Sequence, residues 1–528
     1  MDPVDFENEL TFASADDLRA VHDAYEAAVD RRMEALGASY PLRIDGRTVE
    51  TDETFAVTAP ADRDLLVGDF AAGQADHVDE AVAAAREAQP AWRADWEARA
   101  AVFREAASLM RERTYDLAAT ISVENGKNRT EAIADVDEAI DFLRFYSREL
   151  ERNEGYRYDT GEPTPGQHTH NRLVPYGVFA VVAPFNFPIA ILTGMTTGAL
   201  ITGNTAVVKP ASATPLIAHK FVDILEDAGI PDGVVNLVTG SGSDVGRPLT
   251  EHEAVDGVVF TGSREVGRSI QRTFFEQGKD GPVIAELGGK NPVIVSEAAD
   301  HEKAVNGVLM GAFSFSGQKC SATSRVYVHE SRYDEFVDDL VARTEALPIG
   351  RPWEEETVVS PVIDESSLDR YERIGEEARE AGTVRTGGEV LDRDDLPDGR
   401  YVAPTVVTDV PHDHDLARDE HFLPFVTVHP VGSFEEALEK SNDSDYGLCA
   451  GLFSEDESEI DAWFDGIESG MCYVNREQSA TTGALVQAQP FGGWKDSGTT
   501  GKFAGGYWYL PQFMREQTRT VVGDVGRP

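Results

Sequence analysis

The chain has 528 residues, of which 41% are hydrophobic, and its 94 acidic against 47 basic side chains give a formal net charge of −47 at pH 7. This length allows a large core divided over two or more domains. The acidic excess is spread along the chain, which indicates a solvated surface suited to a salt-rich cytoplasm and argues against nucleic acid as a partner.

Three cysteines, Cys320, Cys449 and Cys472, are too few for a disulfide framework and lack the spacing of metal ligands. We therefore expect a reducing cytoplasm and no bound metal. The first residues, MDPVDFENEL, are acidic and unlike a signal peptide. Residues 173–208 carry no charge over a length that could span a bilayer, but prolines and glycines interrupt them. A buried strand, a loop and a buried helix are predicted there instead of a membrane span.

Residues 1–40 are predicted to form an acidic helical extension ahead of the main body. Helical periodicity dominates from Asp79 to about Arg152. The polar, Gly/Pro-rich segment 158–176 is then predicted to form an exposed strand pair or arm. The alternating run REQTRTVV near the C-terminus predicts an edge strand.

Between these segments, short β-branched runs alternate with helical patterns. This order predicts parallel sheets covered by helices on both faces, and two α/β domains are the simplest arrangement. The runs of the first domain are GVFAVVA, TAVVKPA, GVVNLVTG, GVVFTGS and PVIAELGG, and those of the second include NPVIVSE, SRVYVHE and APTVVTDV.

Several strand ends carry polar residues, where parallel sheets bind ligands. FTGSREVG places Gly262 and Ser263 at a helix N-terminus that could hold a phosphate, although a plain turn has the same pattern. In AELGGK, Glu286 is either a partly desolvated general base or an ion-paired core carboxylate. Asn186 in APFNFP could donate to an oxyanion or only satisfy its turn. Cys320 in SFSGQKCSA is either a nucleophile or an ordinary thiol beside a turn.

Together and in this order, seven motifs resemble the aldehyde dehydrogenase superfamily from about Tyr40 onward: APFNFP, VVKPAS, FTGSREVG, AELGGKNP, FSFSGQKCSA, DEHFLPFV and PFGGWKDSG. The resemblance implies an α/β fold with a Rossmann-like cofactor domain, an α/β catalytic domain and a β oligomerisation arm. It implies an NAD-binding domain at residues 41–157 and 177–288, a catalytic domain at 289–490, and an arm at 158–176 and 508–528. A homo-oligomer is expected.

By this resemblance, Cys320 attacks the aldehyde, the Asn186 amide and the Cys320 backbone N–H hold the oxyanion, and Glu286 activates the water that hydrolyses the thioester. The cofactor-binding positions implied are Lys209, Ser212, Gly262, Ser263, Glu420 and Phe422. Ser212 stands where the family usually has glutamate, which makes NADP tolerable besides NAD. Leu423 stands where the family usually has glycine, which puts the fine geometry around Glu420 in doubt.

Within the superfamily, the chain most resembles the 1-pyrroline-5-carboxylate dehydrogenases, which oxidise L-glutamate γ-semialdehyde. The substrate-binding residues implied are Glu138, Ser321, Gly483, Ala484 and Phe491. Gly483 and Ala484 could equally belong to a flexible loop that closes the site. The alternatives are a dehydrogenase of another carboxylated or broad-range aldehyde, a non-catalytic relative, and an acyl transferase to coenzyme A, which the presence of Glu286 disfavours.

Overall fold

The structure is a computed structural model that describes residues 15–477 and 485–523. Its helices are α1 (Ala15–Glu34), α2 (Ala75–Trp92), α3 (Trp96–Glu112), α4 (Thr114–Asn125), α5 (Arg129–Arg152), α6 (Ala190–Ile201), α7 (Pro215–Asp227), α8 (Arg247–Glu251), α9 (Arg264–Glu276), α10 (His301–Phe313), α11 (Tyr333–Glu345), α12 (Glu365–Ala381), α13 (Asp415–Arg418), α14 (Phe434–Asn442) and α15 (Glu457–Gly466).

The strands are β1 (Ala38–Tyr40), β2 (Leu42–Ile44), β3 (Arg47–Val49), β4 (Thr54–Ala59), β5 (Asp62–Ala71), β6 (Arg157–Thr164), β7 (Gln167–Pro175), β8 (Val178–Val182), β9 (Thr205–Lys209), β10 (Val235–Leu237), β11 (Gly257–Thr261), β12 (Val283–Glu286), β13 (Asn291–Val295), β14 (Thr323–His329), β15 (Thr383–Thr386), β16 (Thr405–Thr408), β17 (Phe425–Val431), β18 (Tyr446–Gly447), β19 (Cys449–Phe453), β20 (Met471–Val474), β21 (Trp494–Lys495) and β22 (Met514–Val522).

The first seven-stranded sheet has the order β12-β11-β8-β9-β10-β2-β3. The strands from β12 to β10 run parallel, and the hairpin β2–β3 adds an antiparallel edge. Alternate residues of β8 enter different cores: Phe179 and Val181 pack with α3, α5 and α6, whereas Val178 and Ala180 pack with α2. A strand buried on both faces explains the unbroken apolar run in the sequence.

The second seven-stranded sheet has the order β15-β16-β17-β14-β13-β19-β20, parallel except at the β15 edge. Val293 and Val295 of β13 pack with α10 and α11, and Ile294 between them packs with α14 and α15. The predicted α/β fold class is confirmed. The numerical domain boundaries stay a prediction.

The arm is a three-stranded sheet in the order β22-β7-β6. As predicted, the C-terminal strand pairs with the segment before Tyr176, in an antiparallel register from Met514 opposite Pro175 to Val522 opposite Gln167. Residues 509, 510 and 513 are buried in the same core as α5 and α6, and the arm strand β22 begins at Met514.

The N-terminal part of the described chain contains one predicted and one unpredicted feature. Helix α1 packs against α4, where the Tyr25 hydroxyl donates to Ser122 Oγ over 2.6 Å. Three strands between residues 38 and 71, β1, β5 and β4, also form a small sheet that the sequence did not predict. Its strands are short or partly exposed, so they lack a clear apolar pattern.

The uncharged segment at residues 173–208 folds as expected for a buried segment, because it contains the end of β7, all of β8 and α6, and most of β9. Within the described residues, no helix combines the length and apolarity needed to cross a bilayer.

Candidate active site

A cavity of about 640 Å³ lies where the carboxyl ends of β11 and β12 meet α5, α6 and the loop before β14. Five of the predicted site residues line it, and these are Glu138, Glu286, Cys320, Ser321 and Phe491. The rest of the wall is mainly apolar and consists of Phe142, Phe187, Ile191, Gly194, Met195, Val259, Phe260, Thr261, Ile284, Ala504 and Tyr509. Residues far apart in the sequence therefore meet around one space.

The loop that carries Cys320 begins with an unusual backbone. Phe315 and Ser316 have φ values of 48° and 52°, in the left-handed region that side chains rarely adopt. Gly317 follows with φ 65°, and a Cβ there would overlap the carbonyl of Leu423. Such strain persists only where the surroundings hold it, and it is common at functional sites.

Asn291 at the start of β13 fixes the same loop from the other side. Its Nδ2 donates to the carbonyl oxygens of Cys320 (2.7 Å) and Ala322 (2.9 Å), and its Oδ1 accepts from the Cys449 N–H (3.0 Å). The sequence placed Asn291 inside a motif but gave it no role. The only signal was its position directly after AELGGK.

The Cys320 thiol is 8% exposed and lines the cavity. Burial raises its pKa, and the nearby carboxyls of Glu420 and Glu286 raise it further. The thiol is therefore neutral at pH 7, and a reaction at sulfur must remove its proton.

Glu286 is the last residue of β12, as the sequence predicted. Burial raises the pKa of its carboxyl well above the usual value, although a backbone hydrogen bond from Gly493 opposes this. Among the described residues, Glu286 Oε2 is buried without a hydrogen-bond partner. A carboxyl oxygen without a hydrogen bond on a cavity wall is well placed to accept or donate a proton.

Asn186 lies in the loop between β8 and α6 and is 2% exposed. Its neighbour Phe187 forms part of the cavity wall, but Asn186 is not among the wall residues. Asn125 steadies this loop, because its Nδ2 donates to the Phe185 carbonyl over 2.6 Å.

A fully buried ion pair supports the same loop. Lys127 Nζ lies 2.8 Å from Asp135 Oδ2, and both side chains are 0% exposed. Asp135 Oδ1 accepts from the Ala190 N–H at the start of α6 (3.0 Å), and Lys127 Nζ lies 3.5 Å from the Phe187 ring centre and 5.2 Å from that of Phe315. The pair thus contacts both the Asn186 loop and the Cys320 loop. No sequence pattern indicated this pair.

Glu138 projects from α5 into the cavity wall. Burial raises its pKa to about 8, with a further contribution from Asp135. At pH 7 the carboxyl is therefore mainly protonated while the cavity contains no cationic group.

A groove of about 1160 Å³ adjoins the cavity, and Phe260 lines both. Lys209 at the end of β9 lines the groove and donates to the Pro210 carbonyl over 2.9 Å, and burial lowers its pKa to about 8. Ser263 caps α9, its hydroxyl accepting from the Val266 N–H over 3.4 Å. A Cβ at Gly262 would lie 2.6 Å from the Phe260 ring. A helix N-terminus beside a large groove suits the phosphates of a dinucleotide.

Glu420 lies between α13 and β17, and its carboxyl contacts the glycines that follow Glu286. Its Oε1 accepts from the Gly289 N–H over 2.9 Å, and a Cβ at Gly288 would overlap its carboxyl group. Burial raises its pKa to about 7. The two glycines of AELGGK thus give room to this carboxyl, which the sequence did not reveal.

The remaining cofactor positions surround these groups. Phe422 has φ 59° and packs against the small apolar cluster that contains Cys320. Leu423 is 3% exposed and has no left-handed backbone, so the glycine usual in the family is not needed there. Ser212 is exposed after β9 and donates to the Gly240 carbonyl over 2.9 Å. The predicted substrate residues Gly483 and Ala484 lie outside the described residues.

Residues 48–519 match the model of the aldehyde dehydrogenase family. The chain belongs to this family. Its members include 1-pyrroline-5-carboxylate dehydrogenase of Bacillus pumilus (strain SAFR-032), which is 40% identical over 504 residues covering 94% of this chain and 95% of the relative. The 1-pyrroline-5-carboxylate dehydrogenase 2 of Bacillus subtilis (strain 168) is 39% identical over 505 residues, with the same coverage.

Two solved structures are also similar. A 1-pyrroline-5-carboxylate dehydrogenase from Thermus with bound NAD is 36% identical, with a TM-score of 0.92 and 99% of each chain covered. Betaine aldehyde dehydrogenase of Staphylococcus aureus in complex with NAD+ is 29% identical, with a TM-score of 0.88 and 96% and 98% covered. As a member of the aldehyde dehydrogenase family, the chain is an oxidoreductase that acts on aldehydes.

The buried ion pair provides a test of how the site is held. Lys127→Met leaves the Asp135 carboxylate buried and unpaired, which costs about 3–5 kcal/mol of folding free energy. We expect a lower unfolding temperature and a lower kcat/KM, because the Phe187 and Phe315 loops lose their support.

A double variant distinguishes the loss of the ion pair itself from the effect of leaving one buried charge without its partner. Lys127→Met with Asp135→Asn removes both charges and keeps an acceptor for the Ala190 N–H, so most of the unfolding temperature should return. Lys303→Met is the control, because its ammonium is 41% exposed and lies 3.7 Å from Glu455. A double variant as unstable as Lys127→Met would contradict this account.

Proposed function

We propose that the chain oxidises L-glutamate γ-semialdehyde, the open form of 1-pyrroline-5-carboxylate, to L-glutamate with NAD as a step of proline degradation. The observation that carries the proposal is the single cavity shared by a thiol, two carboxyls and a hydroxyl, those of Cys320, Glu286, Glu138 and Ser321. Relatives over nearly the full length that bear the name 1-pyrroline-5-carboxylate dehydrogenase support the choice of substrate.

Cys320 is the proposed nucleophile. Its sulfur adds to the aldehyde carbon while the thiol proton passes to a water molecule, because the buried thiol is neutral in the free protein. The carbonyl oxygen gains negative charge, and the Asn186 amide and the Cys320 backbone N–H are the proposed donors to it. Asn291 and the left-handed turn before Cys320 hold this backbone in place.

Lys209, Ser263 and Glu420 are the residues proposed to hold the cofactor, with the α9 N-terminus at its phosphates. The groove that Lys209 lines adjoins the catalytic cavity at Phe260. When bound, NAD supplies the hydride acceptor that turns the adduct on Cys320 into a thioester.

Glu286 is proposed to act in the hydrolysis of that thioester. Its unpaired Oε2 accepts a proton from a water molecule, whose oxygen then adds to the thioester carbon. The C–S bond breaks, the carboxylic acid leaves, and Cys320 recovers its proton. Because the pKa of Glu286 is raised, an increase in pH raises the fraction of the protein that has this base in its active form.

Five residues are proposed to recognise the amino-acid part of the substrate. Glu138 offers a carboxyl to the ammonium group, whose charge would favour the ionised form of that carboxyl. Ser321, 3% exposed beside the nucleophile, offers a hydroxyl to the α-carboxylate. Phe491 packs against the methylene groups, and backbone N–H groups of Gly483 and Ala484 complete the carboxylate site.

The arm is proposed to join copies of this chain into a homo-oligomer, because β6 is exposed along its whole length.

A reducing, salt-rich cytoplasm is the proposed compartment, supported by the net charge of −47 and the three free cysteines.

Replacement of Ser321 tests the substrate. Ser321→Ala removes a charge-assisted hydrogen bond, worth about 1.5–3 kcal/mol, so kcat/KM for glutamate semialdehyde should fall about ten- to a hundredfold. Hexanal has no carboxylate, so its kcat/KM should change little. Ser324→Ala is a matched control, since Ser324 Oγ is buried with no hydrogen-bond partner in the described part of the chain and Ser324 is not a wall residue. Equal losses for both aldehydes would favour a broad-range aldehyde dehydrogenase.

Replacement of Glu286 tests the two half-reactions. Glu286→Gln keeps the thiol but removes the base, so we expect a burst of NADH followed by a slow steady state. In the wild type, the rate of deacylation should rise with pH as the carboxyl loses its proton, and in Glu286→Gln this rise should disappear. The exposed Glu297→Gln serves as control. A steady-state rate of NADH production in Glu286→Gln as fast as in the wild type would show that another residue is the base.

The cofactor preference depends on the charge at position 212. The neutral Ser212 permits turnover with NADP as well as NAD, and Ser212→Glu should selectively raise KM for NADP through repulsion of the 2′-phosphate. Ser212→Gln has a similar size without the charge and should affect NADP much less. Equal loss of both cofactors in Ser212→Glu would show that this position is remote from the 2′ site.

A further inference from the structure

Four arginines line a cleft of about 790 Å³ at the base of the arm. This arginine cleft contains Arg93 between α2 and α3, Arg99 on α3, Arg157 at the start of β6 and Arg172 on β7. The other lining residues include no Asp or Glu and are Ala94, Leu150, Gly155, Leu173, Val174, Pro175, Thr202 and Met514.

The charges of the cleft are not balanced locally. Within residues 15–477 and 485–523, no carboxylate forms a salt bridge with any of these four guanidinium groups. This is unexpected in a chain with 94 acidic and 47 basic residues. Surface arginines elsewhere, such as Arg31 with Asp116, do pair with acids.

Arg99 is held rigidly in the cleft. It is 5% exposed, and its Nε and Nη1 donate to the carbonyls of Ile201 (2.9 Å) and Trp92 (2.9 Å). These neutral acceptors fix the guanidinium without cancelling its charge. The nearest acidic influence is Asp95, whose side chain accepts from the Ala98 N–H as the cap of α3.

The arm adds a repulsive pair to this site. Arg157 and Arg172 are direct partners across the antiparallel β6–β7 ladder. Like charges directly opposite each other destabilise a sheet. Among the described residues, Arg172 Nε is also buried without a hydrogen-bond partner. Both features are unfavourable unless an anion lies between the guanidinium groups.

We propose that the arginine cleft binds a multivalent oxyanion of the phosphate class. Guanidinium groups present parallel N–H donors that match the oxygens of such an anion, and several converge here. The bound anion would connect the α2–α3 region to both strands of the arm and so hold the arm against the body. The cleft shares no residue with the catalytic cavity or the cofactor groove, so this site is independent of the proposed function.

Thermal unfolding with inorganic phosphate tests the site at constant pH and at constant ionic strength set with KCl. A ligand that binds only the folded protein raises its unfolding temperature. Millimolar phosphate should raise the unfolding temperature of the wild type by a few degrees, and calorimetric titration should show saturable binding.

The double variant Arg157→Gln/Arg172→Gln should lose this response. Without phosphate, its unfolding temperature should equal or exceed that of the wild type, because the repulsion between the two arginines is gone. With phosphate, its unfolding temperature should be lower than that of the wild type with phosphate. Arg31→Gln/Arg393→Gln is the matched control, since both arginines are exposed and paired with single acids. NADH production should be unchanged in both double variants.

Two results would overturn the proposal. In the first result, phosphate raises the unfolding temperature of the wild type and of Arg157→Gln/Arg172→Gln equally. This would be the general stabilising effect of a salt that is excluded from the protein surface. In the second result, phosphate leaves the unfolding temperature of the wild type unchanged, and light scattering shows that the double variant has a different oligomeric state. This would show that a carboxylate of a second copy of this chain fills the cleft instead.

Discussion

The buried pair of Lys127 and Asp135 is the interaction on which the geometry of the active site depends. Both charges are removed from water, which is expensive unless they meet each other and further polar groups. Here the carboxylate also caps the start of α6, and the ammonium lies over the Phe187 ring. The turn between α4 and α5, helix α5, the Asn186 loop and the Cys320 loop therefore meet at this pair.

The cavity lined by Cys320 and Glu286 differs in charge from the rest of the molecule. The surface is strongly acidic, yet burial shifts the carboxyls of Glu138 and Glu286 and the thiol of Cys320 toward their neutral forms. A neutral, mainly apolar space can admit an aldehyde without repelling it. Each of these groups then gains or loses charge in response to what enters, which suits proton transfers at neutral pH.

Much of this arrangement was accessible from the sequence, for definable reasons. Apolar runs ending in polar residues predicted the parallel strands, and Glu286 and Ser263 do stand at a strand end and a helix cap. Contacts between distant segments were not accessible. Asn291 bonds two carbonyls of the Cys320 loop, and nothing in local periodicity identifies such a bond. The sheet at residues 38–71 was missed because its strands are short and partly polar.

The hydrogen bond from the Gly289 N–H to Glu420 lies beside the candidate active site, where the chain passes from the first sheet to the second. Burial raises the pKa of this carboxyl to about 7. If water reached Glu420, its pKa would fall toward the usual value and a proton would be released. Hydration of this carboxyl is therefore coupled to proton release, and a rise in pH favours it.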